Sequence, residues 1–230
     1  MTSVIELKNI NKNYMTGEDI TEKVLKNISF SVKRGEFLSI MGPSGSGKST
    51  CMNIIGCLDS ATSGSYYLSG KDVFKMTSNE LAYIRNKTIG FVFQGFNLLA
   101  KRNLIDNVSM PLVYRGVKKK ERQEIATEFL SKVNLKGYEK YLPTQLSGGM
   151  KQRVAIARAI ASSPEIILAD EPTGNLDSKT SFEILKLFQE LNSTMGITII
   201  MITHEAEIAE TTNRTIYIKD GKIEYDKKLS

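Results

Sequence analysis

Residues 42–49 read Gly42-Pro43-Ser44-Gly45-Ser46-Gly47-Lys48-Ser49 and match the phosphate-loop pattern G-x-x-x-x-G-K-[ST]. The apolar run Phe37–Met41 precedes them, as is typical of a strand buried on both faces, and helix-like sequence extends from Lys48 to Leu58. The glycines let several N–H groups face one phosphate group, and the helix N-terminus adds partial positive charge. We therefore predict a nucleotide-binding loop in which Lys48 reaches the β- and γ-phosphates, Ser49 binds Mg²⁺ and Thr50 adds a contact.

The overall composition places the chain among ordinary globular proteins. It has 230 residues, 41% of them apolar and 24% charged, enough to bury a core without disulfides or metals. This excludes a disordered chain, a collagen-like repeat and a small disulfide scaffold. A single histidine, His204, excludes a metal site that needs two, such as a His-rich zinc centre. The net charge of +6 fits either phosphate handling or a well-solvated surface.

Cysteine usage and hydropathy favour a cytoplasmic protein. The spacing of Cys51 and Cys57 is neither C-x-x-C nor that of a zinc pair, so we expect reduced thiols in the core. The N-terminus has no apolar signal core, and the longest uncharged stretches, such as Thr88–Ala100, are shorter than the roughly 18–20 residues of a spanning helix. If the chain acts at a membrane, we expect it to do so through a partner.

Strand and helix patterns alternate along the chain, which predicts a parallel α/β core. Val24–Val32 alternates apolar and polar residues like a strand, and the loop Thr16–Glu22 separates it from an earlier strand as in a hairpin. From about Asn97 to Ala161 the composition indicates an inserted helical lobe, whose basic run 118–120 continues with mixed charge and favours an exposed helix over a nucleic-acid patch. A helix is predicted at Ser178–Met195, because Phe182, Leu185, Phe188 and Leu191 recur at the spacing of one apolar helix face. Further strands are predicted at Tyr66–Leu68, Ile89–Phe93, Ile166–Ala169, Ile197–Ile202, Thr215–Ile218 and Ile223–Tyr225.

An apolar strand that ends in two carboxylates follows the lobe. The run 166–169 leads into Asp170 and Glu171, and ligands of an open α/β sheet bind at such strand ends. Asp170 can hold a metal ion or its waters there, and Glu171 can polarise an attacking water as general base. The simpler alternative is that one of the acids caps the turn before Pro172.

A third motif is Leu146-Ser147-Gly148-Gly149-Met150-Lys151-Gln152-Arg153. Taken alone it indicates a helix start, because Ser147 is a good N-cap and the two glycines expose N–H groups. Its position between a phosphate loop and an acidic strand end resembles the ATP-binding cassette (ABC) family, whose signature is L-S-G-G-x-x-Q. The resemblance covers essentially the whole chain.

The resemblance implies a fold and a domain organisation. The fold is an α/β P-loop cassette with a RecA-like parallel-sheet core, an N-terminal antiparallel β subdomain and an inserted α-helical lobe. The chain is then one domain, 1–230, with the core and β subdomain at 1–96 and 162–230 and the lobe at about 97–161.

Matching positions carry the roles that the resemblance implies. Tyr14 resembles the aromatic residue that stacks on adenine, with an ordinary strand-end tyrosine as the alternative. Gln94 resembles the glutamine that contacts Mg²⁺ and senses the membrane partner, and His204 resembles the switch histidine at the γ-phosphate. Two cassettes of this family pair head to tail, so that the signature of one closes on the ATP of the other. The implied nucleotide contacts of the signature and of the loop linking the two sites are Ser147, Gly148, Gly149, Gln152 and Asp177.

Three stretches, Asn53–Asp59, Phe91–Leu99 and Asp170–Asp177, narrow the resemblance to the branch that holds the macrolide exporter MacB and the lipoprotein-releasing LolD ATPases. Two positions depart from the usual pattern. Gly95 stands where a larger polar residue is more usual, which leaves the behaviour of the coupling loop open, and Met150 stands where Gln is common. MacB carries its membrane part on the same chain, so this sequence resembles either a stand-alone subunit or an excised cassette.

The resemblance also implies an activity and partners. We expect an ATPase with ATP and Mg²⁺, an ATP-dependent homodimer, and integral membrane permease subunits similar to those of MacB, LolC and FtsX, with room for a periplasmic or extracellular adaptor. The expected location is cytoplasmic, peripheral on the inner face of the cell membrane. The work would be export or extraction of a drug, antimicrobial peptide or lipoprotein.

Other classes share some of these motifs. The alternative within the family is a regulatory ATPase similar to FtsE that signals across the membrane without transport. DNA-maintenance ATPases separate the motifs by long heptad arms, for which the lobe here is too short, so no nucleic-acid partner is expected. Translation-factor cassettes usually carry two cassettes in one chain, and this chain has one.

Overall fold

The computed structural model describes residues 3–15 and 21–228. Most of the predicted loop Thr16–Glu22 lies outside the described residues, and its last two positions already belong to a strand. The elements in chain order are β1 (Ser3–Met15), β2 (Thr21–Lys33), β3 (Phe37–Met41), α1 (Lys48–Ile55), β4 (Ser63–Leu68), β5 (Lys71–Asp72), α2 (Ser78–Thr88), β6 (Ile89–Phe93), α3 (Leu104–Tyr114), α4 (Lys119–Lys132), α5 (Gly148–Ile160), β7 (Ile166–Asp170), α6 (Ser178–Met195), β8 (Thr198–Ile202), α7 (Ala206–Ala209), β9 (Arg214–Lys219) and β10 (Lys222–Lys228).

The chain divides into two compact units. The first unit comprises residues 1–83 and 198–230, and the second comprises residues 84–197. The boundaries of the second unit, 84–197, differ from those of the predicted helical lobe, 97–161. The lobe as a separate part of the domain therefore stays a prediction. It contains three helices, α3, α4 and α5, in agreement with the helical composition of that stretch.

The first unit contains two groups of paired strands. β2, β1, β4 and β5 are antiparallel neighbours in that order, which confirms the predicted antiparallel sheet near the N-terminus. In the other group β10, β9, β3 and β8 are neighbours, and β3 is parallel to both β8 and β9. All five residues of β3 are buried, as predicted. Because β3 and β8 run parallel, with Ile40 opposite Ile202, the segments that follow them leave the sheet at the same end.

Arg214, the first residue of β9, joins several parts of the first unit through hydrogen bonds. Its guanidinium donates to both carboxylate oxygens of Asp226 at 2.6 Å, to Glu36 at 3.0 Å and to the Ser31 carbonyl at 2.8 Å. The hydrogen bonds to Asp226 raise the pKa of Arg214 against the opposing effect of burial. Bidentate contacts of this kind are geometrically specific, so they fix the register of β9 and β10.

The second unit is mostly helical and holds one parallel strand pair. β6 and β7 pair along their whole length, which places Phe93 opposite Asp170. α5 packs against β6. A Cβ built on Gly90 would stand 2.5 Å from the Ala159 carbonyl oxygen, so this glycine permits the close approach of the helix to the strand.

The helices flanking the strands follow the predictions with two corrections. α6 spans the predicted range, but Phe182, expected on its apolar face, is 68% exposed. α1 ends at Ile55 rather than Leu58, because Gly56 and Cys57, the latter with φ of 54°, turn the chain. The other apolar positions predicted for α6 are buried: Leu185, Phe188 and Leu191.

The two cysteines agree with the prediction made from the sequence. Cys51 and Cys57 are buried, reduced thiols, as predicted, and burial raises the pKa of Cys51 to about 12. Among the described residues, no helix combines the length and the apolar character that a bilayer span requires.

Candidate functional site

The predicted phosphate loop lies in the first unit, between β3 and α1. Gly42 and Gly47 have φ of 149° and 101°, a region that side chains with a Cβ rarely adopt. A Cβ on Gly42 would collide with the Ile218 carbonyl, and one on Gly47 would stand 2.7 Å from the Leu25 side chain. Backbone conformation and space therefore both require glycine at these two positions.

Lys48 extends back over the loop that precedes it. Its Nζ donates to the carbonyl oxygens of Gly42 and Pro43 at 2.8 Å each, and the residue is only 7% exposed. Both acceptors are neutral, whereas a phosphate oxygen would accept a stronger, charge-assisted hydrogen bond. The ammonium group is thus held at the loop, where an anion can engage it.

The buried hydroxyl of Ser46 bears on whether the loop fits a phosphate. Its N–H donates to the Pro43 carbonyl and its carbonyl accepts from the Gly221 N–H, both at 3.2 Å, so its backbone is fixed. Its Oγ is buried and has no hydrogen-bond partner within the described part of the chain. A leftover buried hydroxyl beside the first helical turn, whose N–H groups lack intrahelical acceptors, fits a loop that receives an anion from outside the chain.

Tyr14, on β1, belongs to a polar network with Lys12 and Asp59. The Tyr14 hydroxyl donates to Asp59 Oδ2 at 2.6 Å, and Lys12 Nζ lies 2.6 Å from Asp59 Oδ1. Burial acts to raise the pKa of Asp59, but the hydrogen bonds from Lys12 and Tyr14 outweigh it and lower that pKa. Burial and the Asp59 hydrogen bond both raise the pKa of Tyr14, so its hydroxyl stays protonated and donates.

His204 is exposed and follows the end of β8. The preceding Thr203 N–H donates to the Ile40 carbonyl on β3 at 3.3 Å, and the Thr203 hydroxyl accepts from the Glu205 N–H at 3.0 Å. His204 therefore stands at the same end of the strands as the phosphate loop, and its contact with a γ-phosphate stays a prediction.

In the second unit, Gln94 follows β6 and Glu171 follows β7, so the two residues leave neighbouring strand ends. Asn175 holds Gln94 in place. Its Nδ2 donates to the Gln94 carbonyl at 3.1 Å, and Gln94 Nε2 lies 3.5 Å from Asn175 Oδ1. Gly174 lies so close that a Cβ there would stand 2.6 Å from Gln94 Nε2.

Glu171 has an unusual backbone conformation. Its φ of 44° lies in the left-handed region, which residues other than glycine seldom adopt. The Gly174 N–H donates to the Glu171 carbonyl at 3.1 Å and closes the turn. Backbone strain of this kind is common at functional sites, so the turn supports the prediction that Glu171 takes part in the reaction.

The start of α5 meets the same loops. Ser147 Oγ accepts from the Met150 N–H at 3.3 Å, which confirms the predicted N-cap. A Cβ on Gly148 would stand 3.1 Å from the Leu176 side chain and 3.9 Å from the Phe96 ring. Residues 94–97, 147–149 and 171–177 thus pack together, and we call them the loop cluster.

Arg158, on α5, ties the loop cluster to its helix. The guanidinium donates to the carbonyl oxygens of Asn97 at 2.5 Å and Phe96 at 2.9 Å. Phe96 and Asn97 have φ of 61° and 48°, so the loop after Gln94 is held in a strained form. Burial lowers the pKa of Arg158, although an arginine stays charged at neutral pH.

Two of the predicted nucleotide contacts, Asp177 and Gln152, lie at the start of helix α6 and within helix α5. Asp177 caps α6, accepting from the Thr180 hydroxyl at 2.6 Å and the Thr180 N–H at 3.0 Å, and these bonds lower its pKa. Gln152 is fully buried in α5, and neither of its amide atoms has a hydrogen-bond partner in the described residues. The nucleotide contacts predicted for Asp177 and Gln152 stay predictions.

Sequence reasoning placed the motif residues but missed three supporting side chains, Lys12, Asp59 and Arg158. Asp59 contacts Tyr14 across 45 positions of the chain, and Arg158 contacts the loop after Gln94 across 62. Lys12 lies beside Tyr14 on the same strand and contacts Asp59 across 47 positions. The only available signals were weak ones: an acid in the stretch that carried the family resemblance, and an arginine within an apolar helix. Neither signal identifies the contact partner.

Comparisons with known proteins agree with this geometry. The family model for ABC transporters matches residues 25–174. The ABC transporter ATP-binding protein YknY of Bacillus subtilis, itself uncharacterized, is 53% identical over 220 residues, which cover 96% of this chain and 95% of YknY. The macrolide export ATP-binding/permease protein MacB of Mannheimia succiniciproducens is 50% identical over 221 residues, 96% of this chain but only 34% of MacB.

A solved structure gives the same result for the fold. It is a dimeric post-hydrolysis state of the ATP-binding cassette MJ0796, from Methanocaldococcus jannaschii, bound to ADP and Pi. It matches with a TM-score of 0.90 and 46% identity, covering 98% of this chain and 99% of that one. The predicted fold, an α/β P-loop ABC cassette, is confirmed. The chain belongs to the ABC transporter family as an ATP-binding cassette close to those of MacB and MJ0796, and it is an ATPase.

Proposed function

We propose that the chain is the ATP-hydrolysing subunit of a transporter of the MacB and LolD branch, working as an ATP-dependent homodimer bound to separate membrane permease subunits on the cytoplasmic face. The observation that carries the nucleotide part is the phosphate loop, with Lys48 held at 2.8 Å from two loop carbonyls. The dimer is supported by the dimeric MJ0796 structures and the permease by the MacB relatives. The cargo would be a drug, an antimicrobial peptide or a lipoprotein, with an external adaptor as a further partner.

The proposed chemistry assigns one task to each group. Lys48 and the loop N–H groups bind the phosphates, and Tyr14 stacks on adenine. Water attacks the γ-phosphorus as the bond to the bridging oxygen of ADP breaks, and Glu171 takes the proton of that water. His204 positions the γ-phosphate. Charge on the phosphoryl oxygens is the main quantity to be stabilised, so the fixed donors of the loop matter most.

Mg²⁺ fits the donor types that the chain offers. The proposed ligands are the Ser49 hydroxyl, the Gln94 amide oxygen and the Asp170 carboxylate, all hard oxygen donors. Mg²⁺ is commonly bound through one or two carboxylates together with substrate phosphates, so this small set is sufficient. When bound, the ion supplies neutralisation of phosphate charge.

The head-to-tail dimer gives the signature its task. Ser147, Gly148 and Gly149 of one copy would close on the γ-phosphate held by the other. ATP then favours the closed dimer, and hydrolysis lets the pair open, which the membrane subunits convert into work. The exposed Ser147 at the helix N-terminus supports this assignment.

Phosphate release tests the assignment of the base. Glu171→Gln should keep ATP affinity and lower the hydrolysis rate about 10²- to 10⁴-fold, the usual contribution of a general base. Glu190→Gln, an exposed acid on α6, is the matched control and should hydrolyse ATP like the wild type. Wild-type hydrolysis by the Glu171→Gln protein would refute the role of Glu171.

Transport itself is tested with this chain and a candidate membrane permease subunit. Vesicles containing both should accumulate or release a candidate cargo only with hydrolysable ATP. If ATP turnover responds to the permease while no cargo moves, the FtsE-like regulatory function replaces the transport proposal.

A further inference from the structure

Lys12, Tyr14 and Asp59 form a closed triangle in the first unit. Lys12 and Tyr14 stand two positions apart on β1, so both side chains emerge on one face of the strand. Asp59 binds Lys12 Nζ and the Tyr14 hydroxyl through different carboxylate oxygens, each at 2.6 Å. Lys12 Nζ also stands 4.6 Å from the centroid of the Tyr14 ring. Each side chain therefore contacts the other two.

The polar atoms of Lys12, Tyr14 and Asp59 have hydrogen-bond partners, while the Tyr14 ring stays partly exposed. Lys12 also donates to the Ser60 carbonyl at 2.7 Å, and Asp59 Oδ1 accepts from the Ser60 N–H at 2.7 Å. The side chain of Lys12 is 11% exposed, whereas Tyr14 is 37% exposed. A partly exposed aromatic side chain would otherwise lose conformational freedom on meeting a ligand. The three contacts fix the ring before any ligand arrives.

The ring also lies beside the phosphate-loop helix. Besides Asp59, the Thr50 side chain hydrogen-bonds the Tyr14 hydroxyl. Thr50 lies in the first turn of α1, which begins at Lys48. The triangle thus contacts the first turn of α1 through Thr50. Its own member Asp59 follows the end of the same helix by four residues.

We infer that Lys12 and Asp59 are positioning residues for the nucleobase: Asp59 fixes the tilt of the Tyr14 ring through its hydroxyl, and Lys12 covers one face so that the base stacks on the other. This inference rests on the proposed function, in which Tyr14 stacks on the adenine of ATP. It adds two residues to that contact and assigns them no chemical step. Preorganisation of this kind raises affinity by removing the cost of ordering a side chain on binding.

The chain provides a matched control for this triangle. On the same strand β1, Lys8 Nζ stands 5.4 Å from the centroid of the Tyr67 ring, which belongs to the neighbouring strand β4. This second lysine–tyrosine pair has no proposed part in nucleotide binding. Lys8→Met and Tyr67→Phe therefore report what the same substitutions do to the sheet alone.

The experiment measures dissociation constants for ATP and for inorganic triphosphate, which has no base. Tyr14→Phe, Lys12→Met and Asp59→Asn should each weaken ATP binding about 2- to 10-fold, the cost of immobilising one side chain on binding. The affinity for inorganic triphosphate should stay at the wild-type value, and that value also shows that each variant is folded at the loop. The control variants should leave both affinities unchanged.

Two results would overturn the inference in distinguishable ways. If Tyr14→Ala weakens ATP binding while Tyr14→Phe, Lys12→Met and Asp59→Asn do not, stacking stands and the positioning role fails. If affinity for ATP and for inorganic triphosphate falls equally in these variants, the triangle only supports the fold. If Tyr14→Ala itself leaves ATP affinity unchanged, the proposed stacking on adenine fails, and the inference fails with it.

Discussion

The phosphate loop at 42–49 is shaped by its own backbone, whereas the loop cluster of the second unit is held by side chains from distant positions. Glycine at 42 and 47 is required by φ and by space, and Lys48 binds carbonyls five and six residues back. In the loop cluster, Asn175 holds a residue 81 positions away, and Arg158 holds carbonyls 61 and 62 positions away.

The difference bears on how each region can move. Changing the shape of the phosphate loop means changing backbone conformations that the surrounding chain fixes. The loop cluster is held by individual side-chain hydrogen bonds, each worth about 1 kcal/mol net, over backbone that is strained at Phe96, Asn97 and Glu171. We therefore expect the phosphate loop to set affinity and the loop cluster to set turnover.

Lys48→Ala tests the first half of this comparison and should have the largest effect on binding. Loss of a charge-assisted hydrogen bond to phosphate, about 1.5–3 kcal/mol, should weaken ATP affinity by roughly 10- to 100-fold. Equilibrium binding of a fluorescent ATP analogue measures this change. Lys227→Ala, an exposed lysine on β10, is the control, and equal affinities for the two variants would contradict the loop assignment.

Arg158→Met tests whether distant side chains hold the loop cluster. Two carbonyl oxygens of strained residues would lose their donor, so the free energy of unfolding should fall by about 1–3 kcal/mol. Arg153→Met on the same helix removes an ion pair with the half-exposed Glu183 and a long hydrogen bond, 3.5 Å, to the Val133 carbonyl. It should cost no more than about 1 kcal/mol. Denaturant unfolding compares the two, and equal losses would mean that the anchor at Phe96 and Asn97 is unimportant.

Asn175→Ala separates turnover from affinity. It removes both hydrogen bonds to Gln94, so kcat for hydrolysis should fall about fivefold, equivalent to one net hydrogen bond of about 1 kcal/mol. The dissociation constant for ATP should not change. Asn79→Ala, exposed on α2, is the control for kcat. A weakened affinity with unchanged kcat would reverse the division of tasks between the two regions.

Gly95→Gln should have the smallest effect of the series. Among the residues that the structure describes, a Cβ at this position would meet only the Asn97 side-chain oxygen, at 3.6 Å, which is an ordinary contact. Unfolding midpoint and ATP affinity should both match the wild type. A clear loss of stability would show that the loop itself requires glycine at this position.

Contiguous patterns made much of this molecule predictable. The phosphate loop is eight successive residues between a buried strand and a helix, so its pattern could be recognised within one contiguous stretch. The helix α6 and the strand β6 were predicted with their observed bounds, because periodicity and flanking residues act within one element. The early end of α1 was missed because the left-handed conformation of Cys57 leaves no mark in the sequence.

The supporting contacts were not predictable for the opposite reason. Asp59 reaches Tyr14 across 45 positions and Arg158 reaches Phe96 across 62, and neither pair belongs to a local pattern. The ABC resemblance supplied roles for motif residues, but it says nothing about which side chains hold them. Only the folded chain brings those side chains to their partners.

The most direct test of the account is the mass of the Glu171→Gln protein in solution with saturating ATP and Mg²⁺, measured by light scattering during size-exclusion chromatography. If ATP joins two copies and Glu171 is the base, the mass should be twice that of one chain. It should return to the single-chain value without ATP or when Lys48→Ala is added. A single-chain mass for Glu171→Gln protein that demonstrably holds unhydrolysed ATP would contradict the account.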